Sequence, residues 1–144
     1  MQILEKLKPL GLLLLRVALG ASFIFHGYPK LNHPAQALKE FSGYGLPSYF
    51  AYISGILEVF GGGLLIAGLF TRGVALLLTI EMGLILARTI TRSPGFYAFG
   101  RYEMPLLLDA MALAIVTMGA GLISIDAFTF EPGRKSVKRS KAKD

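Results

Sequence analysis

Four apolar stretches, each close to the length of a bilayer crossing and each interrupted by acid or base, dominate this 144-residue chain. They run from Leu10 to Leu31, Tyr49 to Leu69, Gly73 to Thr89 and Tyr102 to Leu122. A hydrocarbon core of about 30 Å needs about 20 helical residues, so each reads as a membrane-spanning helix. Inside them sit Arg16, His26, Lys30, Glu58, Glu81, Arg88, Glu103 and Asp109. An ionisable group at mid-bilayer costs at least ~2.5–3.5 kcal/mol, so these groups must face a shared polar interior.

With 53% hydrophobic residues and a mean hydropathy of +0.57, the chain is more apolar than a soluble domain of this length requires. The expected fold class is all-α, an integral membrane four-helix bundle occupying residues 1–128, with residues 129–144 as a basic, disordered tail. The apolar run after Lys6 and Lys8 reads as a retained span, because Arg16 interrupts it and Leu19 sits where a leader-cleavage site needs a small residue. Lys6, Lys8, Arg72 and the tail residues Arg134, Lys135, Lys138, Arg139, Lys141 and Lys143 fall on one side of the membrane. Positive charge marks the cytoplasm, which places both termini there and makes the protein a multi-pass one of the bacterial inner membrane. The connection Phe70-Thr71-Arg72 is short enough to force the second and third spans into an antiparallel hairpin. The first outer loop should hold a short amphipathic helix from Ala35 to Phe41, and the second, with Phe96, Tyr97 and Phe99, should lie at the membrane interface.

Composition also excludes functions. There is no cysteine, so the chain has no disulfide, no thiolate metal ligand and no sulfur relay of its own. Two histidines and no Glu-x-x-His pair argue against haem ligation or a carboxylate-bridged metal site. The tail lacks interleaved aromatics, so no nucleic-acid partner is expected; the lipid bilayer is the expected partner.

At ~1.5 Å per residue, Arg16 lies ~9 Å from the inner boundary, Glu81 ~12 Å, Glu58 ~16 Å and Asp109 ~20 Å, with His26, Lys30 and Glu103 nearer the outer side. Carboxylates at similar depth cannot all stay charged without a cation. Helical spacing puts Arg16, Gly20, Phe23, Gly27 and Lys30 on one stripe of the first span, and Gly55, Glu58 and Gly62 on one face of the second. Small residues there let a neighbouring helix approach closely. His26, Glu58 and Glu81 are therefore the candidate catalytic, proton-exchanging residues. Arg16, Lys30, Glu103 and Asp109 are the candidate ligand-binding ones, with Arg16 expected to hold Glu81 ionised and Lys30 with Glu103 expected to frame an outer mouth. A polar network that only fixes helix register is the competing reading.

Several spaced motifs resemble the DoxX family of small bacterial membrane proteins: Arg16-Val-Ala-Leu-Gly20, Phe23-Ile-Phe-His26-Gly27 with Lys30-Leu31, Glu58-Val-Phe-Gly61-Gly62 running to Thr71-Arg72, and Gly119-Ala-Gly121 to Ser124 and Asp126. The resemblance spans about residues 10 to 128. It implies four membrane helices and a redox or oxidative and thiol-stress role, since members are often called oxidoreductases by association with quinone-linked complexes. Without cysteine, catalysis shifts towards a quinone as the cofactor or ligand. The alternatives are a membrane anchor for soluble redox partner proteins, or a small proton-coupled transporter.

Overall fold

The computed structural model describes residues 2–92 and 99–129, with side chains from Leu7 onward. Residues 93–98, with Phe96 and Tyr97, and residues 130–144 lie outside the described residues. The described residues form six helices and no strand: α1 (Gln2–Asn32), α2 (Pro34–Gly43), α3 (Tyr49–Ala67), α4 (Thr71–Arg92), α5 (Phe99–Met118) and α6 (Ile125–Thr129). The chain is an all-α membrane protein. Its Leu7–Asn32 segment, α3 and α4 are each long and apolar enough to cross a bilayer. Helix α5 has 20 residues, enough to match that thickness, but carries Arg101, Glu103 and Asp109.

Helix ends and apolar ends do not coincide. α1 begins well before Leu10, because Leu, Lys and Glu all favour helix and only Pro9 interrupts the first turns. Apolarity marks where lipid begins rather than where hydrogen bonding begins. α5 stops at Met118, short of Leu122, because Gly119 adopts a left-handed φ of 79° and turns the chain. Between α1 and α3 the expected amphipathic helix is present as α2, and it buries Ala37 and Phe41.

Polarity is inverted relative to a water-soluble protein. Large apolar side chains point outward, Phe25 at 78% and Phe60 at 68% exposure, while Arg16 and Glu58 are almost completely buried. Such an apolar surface suits lipid, not water. α1 packs on α3, α3 on α4 and α4 on α5, and α1 closes the arrangement against α5.

The α1–α3 contact is the closest. A Cβ on Gly20 would sit 2.5 Å from the Gly62 carbonyl oxygen, and a Cβ on Gly62 would sit 2.5 Å from that of Gly20. One turn pair further on, a Cβ on Gly27 would meet the Gly55 carbonyl oxygen at 2.9 Å. Each pair of glycines is seven residues apart on its helix, so both contacts come from one antiparallel register. Of the three consecutive glycines in α3, Gly62 faces α1, Gly61 faces Val74 and Leu78 of α4, and Gly63 faces open space.

At the α6 end the polypeptide ties itself together. Gly68, at φ 72°, closes α3 and accepts the Asp126 amide at 2.9 Å. The Asp126 carboxylate in turn accepts the Phe70 and Thr71 amides, each at 2.8 Å. These are orphan N–H groups at the start of α4, so a residue more than fifty positions away caps that helix. Phe70 itself has φ 51°, a left-handed backbone that a non-glycine residue adopts only when its surroundings hold it there.

The glycine seam gives a graded test. Gly62→Ala must push two helix backbones apart and should destabilise by about 1–3 kcal/mol, the usual range for overpacking. Gly63→Ala should be neutral, or stabilising by up to about 1 kcal/mol through helix propensity. Unfolding midpoints in one detergent check the order, and equal effects at the two positions would contradict the seam.

Candidate functional site

The buried stripe of α1 delivers two cations to different ends of the α1–α3 contact. Arg16 sits at the α6 end. Its Nε donates to the Leu65 carbonyl at 2.9 Å, and its Nη atoms donate to the carbonyls of Ile66 and Ala120. It thereby satisfies acceptors that the end of α3 leaves open, with the Asp126 carboxylate nearby. Arg16 does not reach Glu81; each of its three guanidinium nitrogens donates to a backbone carbonyl, an acceptor that carries no side-chain signature in a sequence.

Lys30 lies four turns further along and enters a different setting. Its Nζ donates to Ser54 Oγ at 2.9 Å and lies 2.7 Å from Glu58 Oε2, with its ammonium 5.2 Å from the centre of the Phe41 ring. Glu58 Oε2 makes no bond of good hydrogen-bonding angle, so the contact with Lys30 is an ion pair first. Glu81 of α4 stands within electrostatic reach of Glu58 and Lys30. Both Glu81 oxygens are enclosed, and Ser54 approaches them without meeting hydrogen-bond geometry.

Above this group opens a cavity of about 280 Å³, lined by all five longer helices. Its floor includes Lys30 and Glu58, and its wall includes Met82 and Leu108. His26 also lines it, with Nδ1 2.7 Å from the Ser22 carbonyl oxygen. Since a carbonyl only accepts, Nδ1 carries a proton, which leaves Nε2 as the nitrogen available for proton exchange. At the mouth, Tyr44 donates to Glu40 Oε1 at 3.1 Å beside Arg101.

The seven residues singled out by sequence therefore separate. His26, Lys30 and Glu58 share the cavity, and Glu81, outside its lining, stands within electrostatic reach of Glu58 and Lys30. Arg16 belongs to the opposite end. Glu103 is exposed and outside the cavity lining, and Asp109 is half-buried with an enclosed, unpartnered Oδ1 away from it. Ser54, Phe41, Glu40, Tyr44 and Arg101 were not anticipated. Ser54 was within reach of the argument, being one helical turn before Glu58. The remaining four depend on how α2 and α5 fold over the cavity.

A membrane-embedded helical protein with a charged, glycine-seamed α1–α3 contact is what these features define. Residues 11–89 match the DoxX family profile, and the chain belongs to the DoxX family. It is 34% identical over 128 residues to the Bacillus subtilis (strain 168) protein named "Putative oxidoreductase CatD", covering 88% of this chain and 92% of that one. A Haemophilus influenzae relative named "Uncharacterized protein" is 33% identical over 127 residues, covering 85% and 93%. No solved structure matches the chain. The matched segment contains Lys30, Ser54, Glu58 and Glu81.

The mouth dyad yields a titration. Burial, the charge of Glu40 and their hydrogen bond push the Tyr44 phenol up to about 12, against the opposing charge of Arg101. The folded value lies above the unfolded one. The stability linked to this phenol is therefore complete below pH ~10 and is lost as pH rises towards 12. Difference absorbance between wild type and Tyr44→Phe should show that ionisation near 12, and Glu40→Gln should bring it down. An ionisation near 10 that ignores Glu40 would show that the dyad does not form.

Proposed function

We propose that this protein is a multi-pass component of the bacterial inner membrane, a four-helix bundle of α1, α3, α4 and α5 with cytoplasmic termini, serving a redox or oxidative and thiol-stress system. The site reading is that its cavity holds the head of a quinone-like molecule. The single observation that carries it is an ion pair, Lys30 with Glu58, in a cavity that also presents apolar side chains such as Phe41, Met82, Ile85 and Leu108. A volume of about 280 Å³ lies just below the usual range of ligand sites, which suits a substituted ring rather than a ring with its tail. The CatD name supports the redox class.

The residues fit such a head group on the structure's own terms. Glu58 belongs to the cavity lining, so its carboxylate, which holds Lys30 through Oε2, is the acceptor for a ligand hydroxyl. Lys30 offers an ammonium to a ligand carbonyl, and the Phe41 ring and Ser54 hold that ammonium in place. His26 Nε2 provides a second proton-exchanging atom at a more accessible point. When bound, a quinone supplies two-electron, two-proton chemistry; the chain supplies orientation, a dry wall and proton exchange at Glu58 and His26.

Binding of a short-chain benzoquinone to protein in lipid nanodiscs, measured by equilibrium dialysis, tests this. Glu58→Gln and His26→Ala should each weaken binding about tenfold or more, near 1.4 kcal/mol. Gly63→Ala should leave it unchanged. Undetectable binding by wild type, or unchanged affinity in both site variants, overturns the proposal.

A further inference from the structure

The charge count at the cavity floor is unbalanced. Gly61 of α3 faces Val74 and Leu78 of α4, and α3 and α4 run antiparallel. Three residues back along α3 and three on along α4, the same register brings Glu58 level with Glu81, in agreement with their electrostatic contact. Two carboxyl groups thus share one level of the bilayer. The charged groups facing them are Lys30 and His26 from α1 and Glu40 from α2, while α5 contributes Arg101 at the mouth.

Lys30 is the cation in contact, and it is committed to Glu58 at 2.7 Å. His26 is largely exposed, with its ring tied back to its own helix through Ser22. Glu81 has both oxygens enclosed, with the Ser54 hydroxyl approaching them outside good hydrogen-bond geometry and Lys30 acting on them through its charge. An enclosed carboxylate with one poorly angled donor and a counter-ion already paired elsewhere is a poorly compensated state in low dielectric, whereas a protonated one needs less compensation. One ammonium balances one carboxylate.

We infer that Lys30, Glu58 and Glu81 together hold a single exchangeable proton at the cavity floor, shared between the two carboxyl groups. The balance is simple: an ammonium, one carboxylate and one carboxylic acid, net neutral. Glu58 lines the cavity and Glu81 is outside the lining, so the proton reaches a bound molecule through Glu58 and is replenished from Glu81. The site is a proton store that does not require any ligand to exist.

Infrared difference spectroscopy of ligand-free protein in nanodiscs at neutral pH tests it, in an Asp109→Asn background that removes the one other enclosed carboxyl oxygen found. A carboxylic-acid C=O band should appear and shift in heavy water. Glu58→Gln and Glu81→Gln should each abolish it, because the surviving carboxylate then pairs with Lys30. Lys30→Met should roughly double it, since neither carboxyl then has a counter-ion. No band in the parent, survival of the band in either Gln variant, or no rise in the Lys30→Met protein overturns the inference. Circular dichroism confirms that each variant is folded, and Glu81→Gln, which removes a group with no well-angled hydrogen bond, keeps the test open if Lys30→Met does not fold. Because no quinone is present, this result is independent of whether the cavity binds one.

Discussion

The approach of α1 to α3 through paired glycines is the constraint on which the rest of the structure depends. With a backbone oxygen 2.5 Å from where a side chain would begin, the two helices have one register available to them. That register fixes both buried cations at once. Arg16 arrives beside the carbonyls that end α3, and Lys30 arrives beside Ser54 and Glu58. A shift of one residue would turn these groups away from α3 and towards lipid or a neighbouring helix, where neither charge has an equivalent partner. In a bilayer, helices gain little from apolar burial against each other, so close packing and satisfied polar groups must supply the specificity.

Much of the α1 contribution was legible because a helix in lipid has a strict inside and outside. Arg16, Gly20, Phe23, Gly27 and Lys30 recur at three- and four-residue steps, and the structure buries that stripe while leaving His26 beside it exposed. The same reasoning found the Gly55, Glu58 and Gly62 face. Arg16's partners were not legible: carbonyl acceptors belong to every residue, so their position depends on where α3 ends and on the turn at Gly119 to Gly121. Asp126 was visible only as part of a motif. Its task, capping α4 across 55 residues of sequence, follows from the fold-back of the chain after α5.

The two ends of the molecule are built differently. At the α6 end, backbone groups that a helix terminus leaves open are met by Arg16, Asp126 and Gly68, and the interior between them is filled by Leu19, Leu65, Leu78 and Ile115, none measurably exposed. Satisfied termini and close packing resist opening. At the α2 end the interior is incomplete. α2 covers it with one buried ring, Phe41, and the polar groups beneath are held by an ion pair of unfavourable hydrogen-bond angle instead of by a saturated network.

That contrast separates stability from chemistry within one polar interior. Arg16 is an element of folding, because each of its three guanidinium nitrogens donates to a backbone carbonyl and it lies outside the cavity lining. Lys30 is held by a hydroxyl, an aromatic face and a carboxylate, contacts that a ligand carbonyl can compete with or extend. Two residues of similar charge, fourteen positions apart on one helical face, thus diverge in role through what the facing helix presents: finished carbonyls at its end, ionisable side chains at its middle. The ion-paired network that could have been a register device alone lies, at the Lys30 level, in the lining of a cavity, and that position is what the proposed site reading rests on.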